Sequence, residues 1–309
     1  MSYQLEGTES VEEGVKRIST EKVDRAIDHI TDGGMERHET VHEVRKRCKE
    51  IRATVRLVRP ALGETYDKEN AWYRDIARKL SDIRDAQALI ETYDEHITPI
   101  AKNALDETAR KSVRETLVDR RGRISSEQNL GERLEDVHED LLEGRPRIES
   151  WELDAEGFDA IGPGVKKSYR RGREAMEEAY DEPTAENFHE WRKRAKYHRY
   201  HTRLLRNIWL SPMKTRRSEL KDLTDHLGDE HDLAVFREVL TDDDRQLAVE
   251  NSDALLDLID QRRTELQSVS NPLGGRAHAE EPDALIRRLG VYWDAWKADA
   301  DSDEAIGIE

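Results

Sequence analysis

The chain of 309 residues has one cysteine, eight prolines, three phenylalanines and no apolar run of 18 residues. A single thiol closes no intramolecular disulfide, and no Cys/His spacing of the metal-binding kind occurs, so Cys48 is expected to be a buried structural thiol. The missing apolar run excludes a helical membrane span. The opening MSYQLEGTES has neither a basic n-region nor an apolar h-region, so we expect no signal peptide and a soluble, cytoplasmic protein. Runs of β-branched residues are few, leaving little from which to build a sheet. There is no phosphate-cradling glycine loop, no nucleophile motif and no carboxylate cluster suited to Mg2+, so nothing calls for a cofactor or a metal.

Glu, Asp, Arg, Ala and Leu dominate instead, and such a composition favours an all-α fold. The length suits one large or two ordinary domains. With 68 Asp and Glu against 51 Lys and Arg, the formal net charge is -17, and Arg outnumbers Lys 36 to 15. Acids crowd both ends, GTESVEEG and DADSDEAIGIE, as in proteins of salt-adapted organisms, and residues 1–10 and 299–309 read as acidic, solvated tails.

Two segments break this acidity. Residues 42–59 read HEVRKRCKEIRATVRLVR and residues 189–206 read HEWRKRAKYHRYHTRLLR. His42, Arg45, Lys49, Arg52, Arg56 and Arg59 step by 3, 4, 3, 4, 3, which aligns six cationic or titratable side chains along one stripe of a helix. His189, Arg192, Lys196, Arg199, Arg203 and Arg206 repeat the stripe 147 positions later. Lys, Arg and His make up 62 of the residues, so six set positions coincide by chance with a probability of roughly 0.2 to the sixth power. A solvated helix face would intersperse acids at i, i+4, and these stripes contain none. Glu43 and Glu190 read as ion-pair partners, Arg47 and Arg194 as solvated residues off the stripe.

The repeat reaches further. Leu80, Arg84 and Asp85 match Leu227, His231 and Asp232 at the same offset, and Arg74 matches Lys221. Gly14-Val15-Lys16-Arg17 and Gly164-Val165-Lys166-Lys167 open the two copies, which points to duplication of a helical unit of about 140 to 150 residues. Helical periodicity predicts helices near 11–31, 36–60, 67–97 and 99–142, with a break at Gly122, then near 163–180, 184–208, 212–246, 247–270 and 281–298. Pro183, Pro212, Pro272 and Pro282 fall at or near predicted helix starts. The domain boundaries are then 11–142 and 163–298, joined by residues 143–162.

Each basic helix also carries an apolar seam one residue before the stripe. Val41, Val44, Cys48, Ile51, Val55, Val58 and Leu62 form the first; Phe188, Trp191, Ala195, Thr202 and Leu205 form the second, interrupted by His198. The cations are thus rotated about 100° from the buried seam and flank the core, where two such edges can face each other. Seventeen residues make a stripe roughly 25 Å long with a cation every half-pitch of about 5 Å, better matched to a linear phosphate chain than to one nucleotide. Tyr169, Arg170 and Arg173 add a one-face cluster on the helix before the second stripe, with Lys22 and Arg25 as first-copy candidates.

The paired H-x-x-R-K-R-x-K-x-x-R helix and the following L-x-x-x-R/H-D element resemble the CHAD domain, the conserved-histidine α-helical domain, over about residues 10 to 300. The resemblance implies two four-helix bundles related by a pseudo-two-fold axis and a central basic channel or groove for inorganic polyphosphate; some members associate with polyphosphate granules. It carries the basic-helix positions onto His42, Arg45, Lys46, Lys49 and Arg52, and onto His189, Arg192, Lys193, Lys196 and Arg199. Ser81 stands where the family pattern has Gly, and His231 where it has Arg. The triphosphate-tunnel domain often fused to such modules has no β-rich segment here to form it. The expected function is non-catalytic polyphosphate binding, at polyphosphate granules in some settings. A polyphosphate hydrolase or phosphotransferase using His42 or His189 is the alternative, as is a single-strand nucleic-acid binder, which the scarcity of interleaved aromatics disfavours. His42 and His189 are expected to gain protons on binding between about pH 8 and 6, with lysines and arginines holding constant charge.

Overall fold

The computed structural model describes residues 3–103, 105–242 and 252–306. Among them all regular structure is helical. The first half holds α1 (Val11–Thr31), α2 (Arg37–Leu57), α3 (Thr65–Lys79), α4 (Ser81–Thr92), α5 (Glu107–Glu127) and α6 (Leu130–Glu149). The second holds α7 (Gly157–Asp181), α8 (Ala185–Leu204), α9 (Leu210–Thr241), α10 (Ser252–Ala277) and α11 (Pro282–Ile306). Ser10 opens α1 with a full capping box, its hydroxyl accepting from the Glu13 amide while the Glu13 carboxylate accepts from the Ser10 amide.

Several boundaries differ from expectation. The helix expected over 67–97 is interrupted at Leu80, and α4 runs on through a π turn, Tyr93–Ile97. The helix expected over 99–142 breaks not at Gly122, which lies inside α5, but at Gln128 and Asn129, where Asn129 takes the left-handed φ of 44° that asparagine tolerates. Pro272 lies inside α10 rather than at its start; it is exposed, so water can meet the carbonyl it leaves unpaired. The 143–162 connection shrinks to residues 150–156, since α6 and α7 take its ends.

The described parts of the expected acidic tails, residues 3–10 and 299–306, are structured too, while residues 1–2 and 307–309 lie outside the described residues. Tyr3 and Leu5 are buried; the Tyr3 hydroxyl donates to the Glu50 carbonyl at 2.8 Å and the Leu5 amide to the Leu204 carbonyl at 2.9 Å. Two apolar anchors in an acidic segment suffice to dock it. At the other end α11 is helical to Ile306.

The two halves repeat their packing. Helix α1 packs on α2 and α6 as α7 packs on α8 and α11; α2 packs on α3 as α8 does on α9; α4 packs on α5 as α9 does on α10. The seams of α2 and α8 are buried as expected, and His198 is buried within its seam. The hydrophobic interior crosses the midpoint of the chain. One cluster joins α1, α2 and α6 to Ile161, Val165 and Leu204, and another joins Leu89, Tyr93 and Leu117 to Leu233, Phe236 and Leu255. Between the halves α2 touches α7 and α8, and α4 touches α9. Gly164 permits the α7 contact, because a Cβ there would lie 1.8 Å from the Leu57 carbonyl oxygen.

Candidate polyanion-binding site

Helices α2 and α8 meet within their basic segments. His201 Nε2 lies 3.1 Å from the Ala53 carbonyl, Arg203 reaches Glu50 at 3.5 Å, and the Arg56 guanidinium sits 4.2 Å from the centre of the Tyr197 ring. Partners run in opposite order along the two helices, 50 with 203, 53 with 201 and 56 with 197, so the helices pass each other in opposite directions. The two stripes therefore converge at a crossing rather than lying as separate rails.

At this crossing Lys49 and Lys196 sit within electrostatic reach of each other. Arg45, Arg192 and Arg84 surround Lys49, while Arg192 and Arg199 flank Lys196. Solvent reaches Lys49, yet desolvation by the surrounding protein is the largest influence on it, as at the floor of a groove. Desolvation first, then the neighbouring cations, lowers Lys49 to about 8 and Lys196 to about 7. The acids Asp85 and Asp232 oppose this only in part.

Two arms of positive charge leave the crossing. Along α2 and just past its end they are Arg52, held by Asn70 at 3.2 Å, then Arg56 and, beyond the helix, Arg59, both buried and lying over the rings of Tyr197 and Tyr66. Lys167 and Arg171 of α7 extend this arm beside Arg59, and Arg194, expected to be merely solvated, faces Arg56 and Arg59. Along α8 they are Arg199, which donates to Thr224 at 2.7 Å, and Arg203, followed by Arg206 in the short turn Arg206–Ile208 after the helix, with Arg217 of α9 beside all three. Lys167, Arg171, Arg217 and the two tyrosines were missed in the sequence, because only packing brings their helices to the stripe.

The remaining expected residues divide. Arg45 is anchored, donating to the Ala77 carbonyl at 2.7 Å and to Ser81 Oγ at 2.6 Å. Arg84 pairs with Glu91 at 2.7 Å and stands near His42, which is half exposed and whose pKa is lowered by desolvation and then by Arg84. His189 Nδ1 lies 3.1 Å from His231 Nδ1, and desolvation followed by Arg192 pushes the two down to about 4 and about 3. Both are therefore neutral near pH 7, and the groups poised to titrate there are the lysines, contrary to the expectation that lysine charge stays constant. Lys46 pairs with Glu43 at 2.9 Å and Lys193 with Glu190, but both side chains remain solvent-accessible. Arg47 bridges Glu43 and Glu50.

Other positions are spent on surface pairs. Arg74 is tied to Asp75 at 2.8 Å, Lys221 to Asp225 at 2.5 Å, Arg170 to Glu174 at 3.4 Å and Arg173 to Glu281 at 2.8 Å. Tyr169 departs from expectation: it faces inward, fully buried against His198 and His278, with its hydroxyl donating to the Glu280 carbonyl at 2.7 Å. Lys22 is buried 3.8 Å from Glu50, and Arg25 is exposed. Cys48 is buried, its thiol raised to about 12 by desolvation. No cluster of three or more His, Cys, Asp or Glu among the described residues is arranged to hold a metal, and no described helix is long and apolar enough to cross a membrane.

Residues 19–241 match the family described as the CHAD domain. The crystal structure of the CHAD domain from the plant Ricinus communis has a similar fold, with a TM-score of 0.52 and 13% identity over 93% of each chain. Among curated proteins none matches this chain.

Proposed function

The chain belongs to the CHAD domain family, and from that membership and its crossed basic helices we propose that it binds inorganic polyphosphate without catalysing its breakdown. The observation that carries this reading is the meeting of Lys49 and Lys196 among Arg45, Arg84, Arg192 and Arg199, a concentration of like charge in a protein of net charge -17. Self-repulsion at the crossing weakens the charged form of both lysines, and a bound polyanion reverses that penalty. Arginines along both arms offer planar forks to phosphate oxygens, and successive phosphates on one chain engage both halves at high effective concentration.

Titration with polyphosphates of defined length at fixed salt tests the reading. Affinity should rise steeply from triphosphate to chains of tens of phosphates and should fall with salt as several cations are neutralised. Equal affinity for short and long chains rejects the groove. Single-stranded RNA should compete poorly, and labelled polyphosphate should be recovered at its starting length; release of shortened chains or orthophosphate overturns the non-catalytic part. We extend the proposal to location, a cytoplasmic protein drawn to polyphosphate granules, which a fluorescent fusion tests.

A further inference from the structure

A cleft of about 620 Å3 opens between α4, α5 and α9, beside the crossing. Its volume falls within the range of small-molecule sites, about 300–1,000 Å3. Leu89, Ile124, Val235 and Val239 form an apolar wall, and Asp85 and Asp232, equivalent positions of the two copies, line it as well. Asp85 acts electrostatically on Lys49 and Asp232 on Lys196, so the two carboxylates connect the cleft to the lysine pair. Neither carboxylate has a hydrogen-bond or ion-pair partner among the described residues, although Arg45, Lys49 and Arg192 are close.

Asp82, Thr92, Arg120, Gln128 and His231 complete the lining, so the cleft combines apolar surface with hydrogen-bonding groups, and a bare inorganic phosphate chain leaves the apolar part unused. Cations, hydrogen-bond acceptors and apolar side chains thus adjoin one another. On the reading that the crossing holds phosphates, we propose that the cleft admits the nucleoside end of a nucleoside polyphosphate. The phosphates lie on Lys49 and Lys196, the ribose hydroxyls donate to Asp85 and Asp232, and the base packs on Leu89, Ile124 and Val235. Carboxylates commonly take ribose hydroxyls in this way.

Calorimetric titration without divalent cations, comparing ATP, 2′,3′-dideoxy-ATP and inorganic tripolyphosphate, tests this, with long-chain polyphosphate as a control. ATP should bind about tenfold tighter than tripolyphosphate, and the dideoxy compound should lose most of that advantage. Val235→Trp should fill the cleft, removing the ATP advantage while tripolyphosphate affinity holds, with thermal melting as the check on folding. Asp85→Asn with Asp232→Asn provides a second variant of opposite signature, because it should weaken ATP and strengthen tripolyphosphate. Equal affinities for ATP and tripolyphosphate in the unmodified protein would overturn the nucleoside proposal and leave the polyphosphate site standing. Failure of the long-chain control would overturn the crossing as a phosphate site.

Discussion

On α2 the stripe is largely committed: Arg45 donates to Ala77 and Ser81, Arg52 binds Asn70, Arg56 donates to the Arg52 carbonyl, and nearby Arg84 is tied to Glu91. On α8 the equivalent Arg192 passes over Gly228 and has no hydrogen bond or ion pair among the described residues, and His231 replaces the paired arginine. At the crossing the asymmetry takes another form. Arg203 meets the buried carboxylate of Glu50, whereas Arg56 meets the ring of Tyr197, the residue equivalent to Glu50. The two copies thus share the spacing of the cations but not their tethers: the first combines backbone and side-chain acceptors with aromatic rings, while in the second Arg199 and Arg203 meet Thr224, Asp225 and Glu50 and Arg192 is left without a bond among the described residues.

Charge reversal should have the largest effect. Lys49→Glu with Arg52→Glu, and separately Lys196→Glu with Arg199→Glu, should each weaken polyphosphate binding by about 100-fold or more, with helical content intact by circular dichroism. The halves act as one site only if both double variants fail; full affinity in either shows that a single copy suffices.

Next is the tether itself. Glu50 is buried beside Lys22, Arg47 and Arg203, so Glu50→Gln leaves Lys22 and Arg203 without their counter-charge and Arg47 with Glu43 alone, and should cost about 3 kcal/mol in denaturant unfolding. Tyr197→Phe keeps the ring under Arg56 and should cost less than about 1 kcal/mol. Equal costs would erase the distinction between the ionic and aromatic tethers.

A smaller effect comes from pH. Lys49 and Lys196, near 8 and 7 when free, should rise toward ordinary lysine values under a polyanion, so binding takes up protons above about pH 7. Affinity should be full below about pH 6 and fall by at least tenfold between pH 7 and 9, a window above the one expected from histidine. Lys49→Arg with Lys196→Arg should flatten the profile, while His42→Gln with His189→Gln should leave it unchanged above pH 7. A profile flat in the unmodified protein removes the lysines as the titrating contacts.

The stripes and seams were legible because each is a periodic property of one helix. What escaped depends on neighbours. Leu80 ends α3 without a glycine or proline, whereas the equivalent stretch at Leu227 and Gly228 stays helical inside α9 despite its glycine, so the helix breaker and the break fall in different copies. Tyr169 looked like a groove residue because its sequence neighbours are arginines, but its side of α7 faces His198 and His278. The lysine pKa values escaped for a related reason: each lysine is lowered partly by a cation of the other copy, Lys49 by Arg192 and Lys196 by Lys49, and that proximity exists only once α2 and α8 have crossed.

The smallest expected effect would make the halves more alike. His231 occupies the place of Arg84 and is held neutral, stacked on His189 at 4.1 Å between ring centres, with Arg192 and Lys196 adding to the cost of protonating it. His231→Arg supplies a permanent charge on a longer side chain at the position equivalent to Arg84. Two effects oppose each other: an extra cation attracts phosphate, yet it also lowers Lys196 further and removes the stacked pair. In exposed surroundings an added cation contributes about 1 kcal/mol or less, so affinity at pH 7 should rise by roughly threefold. Arg84→His, the reverse change, should lower it by a similar factor and leave Glu91 without its partner. If His231→Arg weakens binding instead, the stacked histidines contact the ligand as neutral donors, and the two halves bind phosphate by different chemistry.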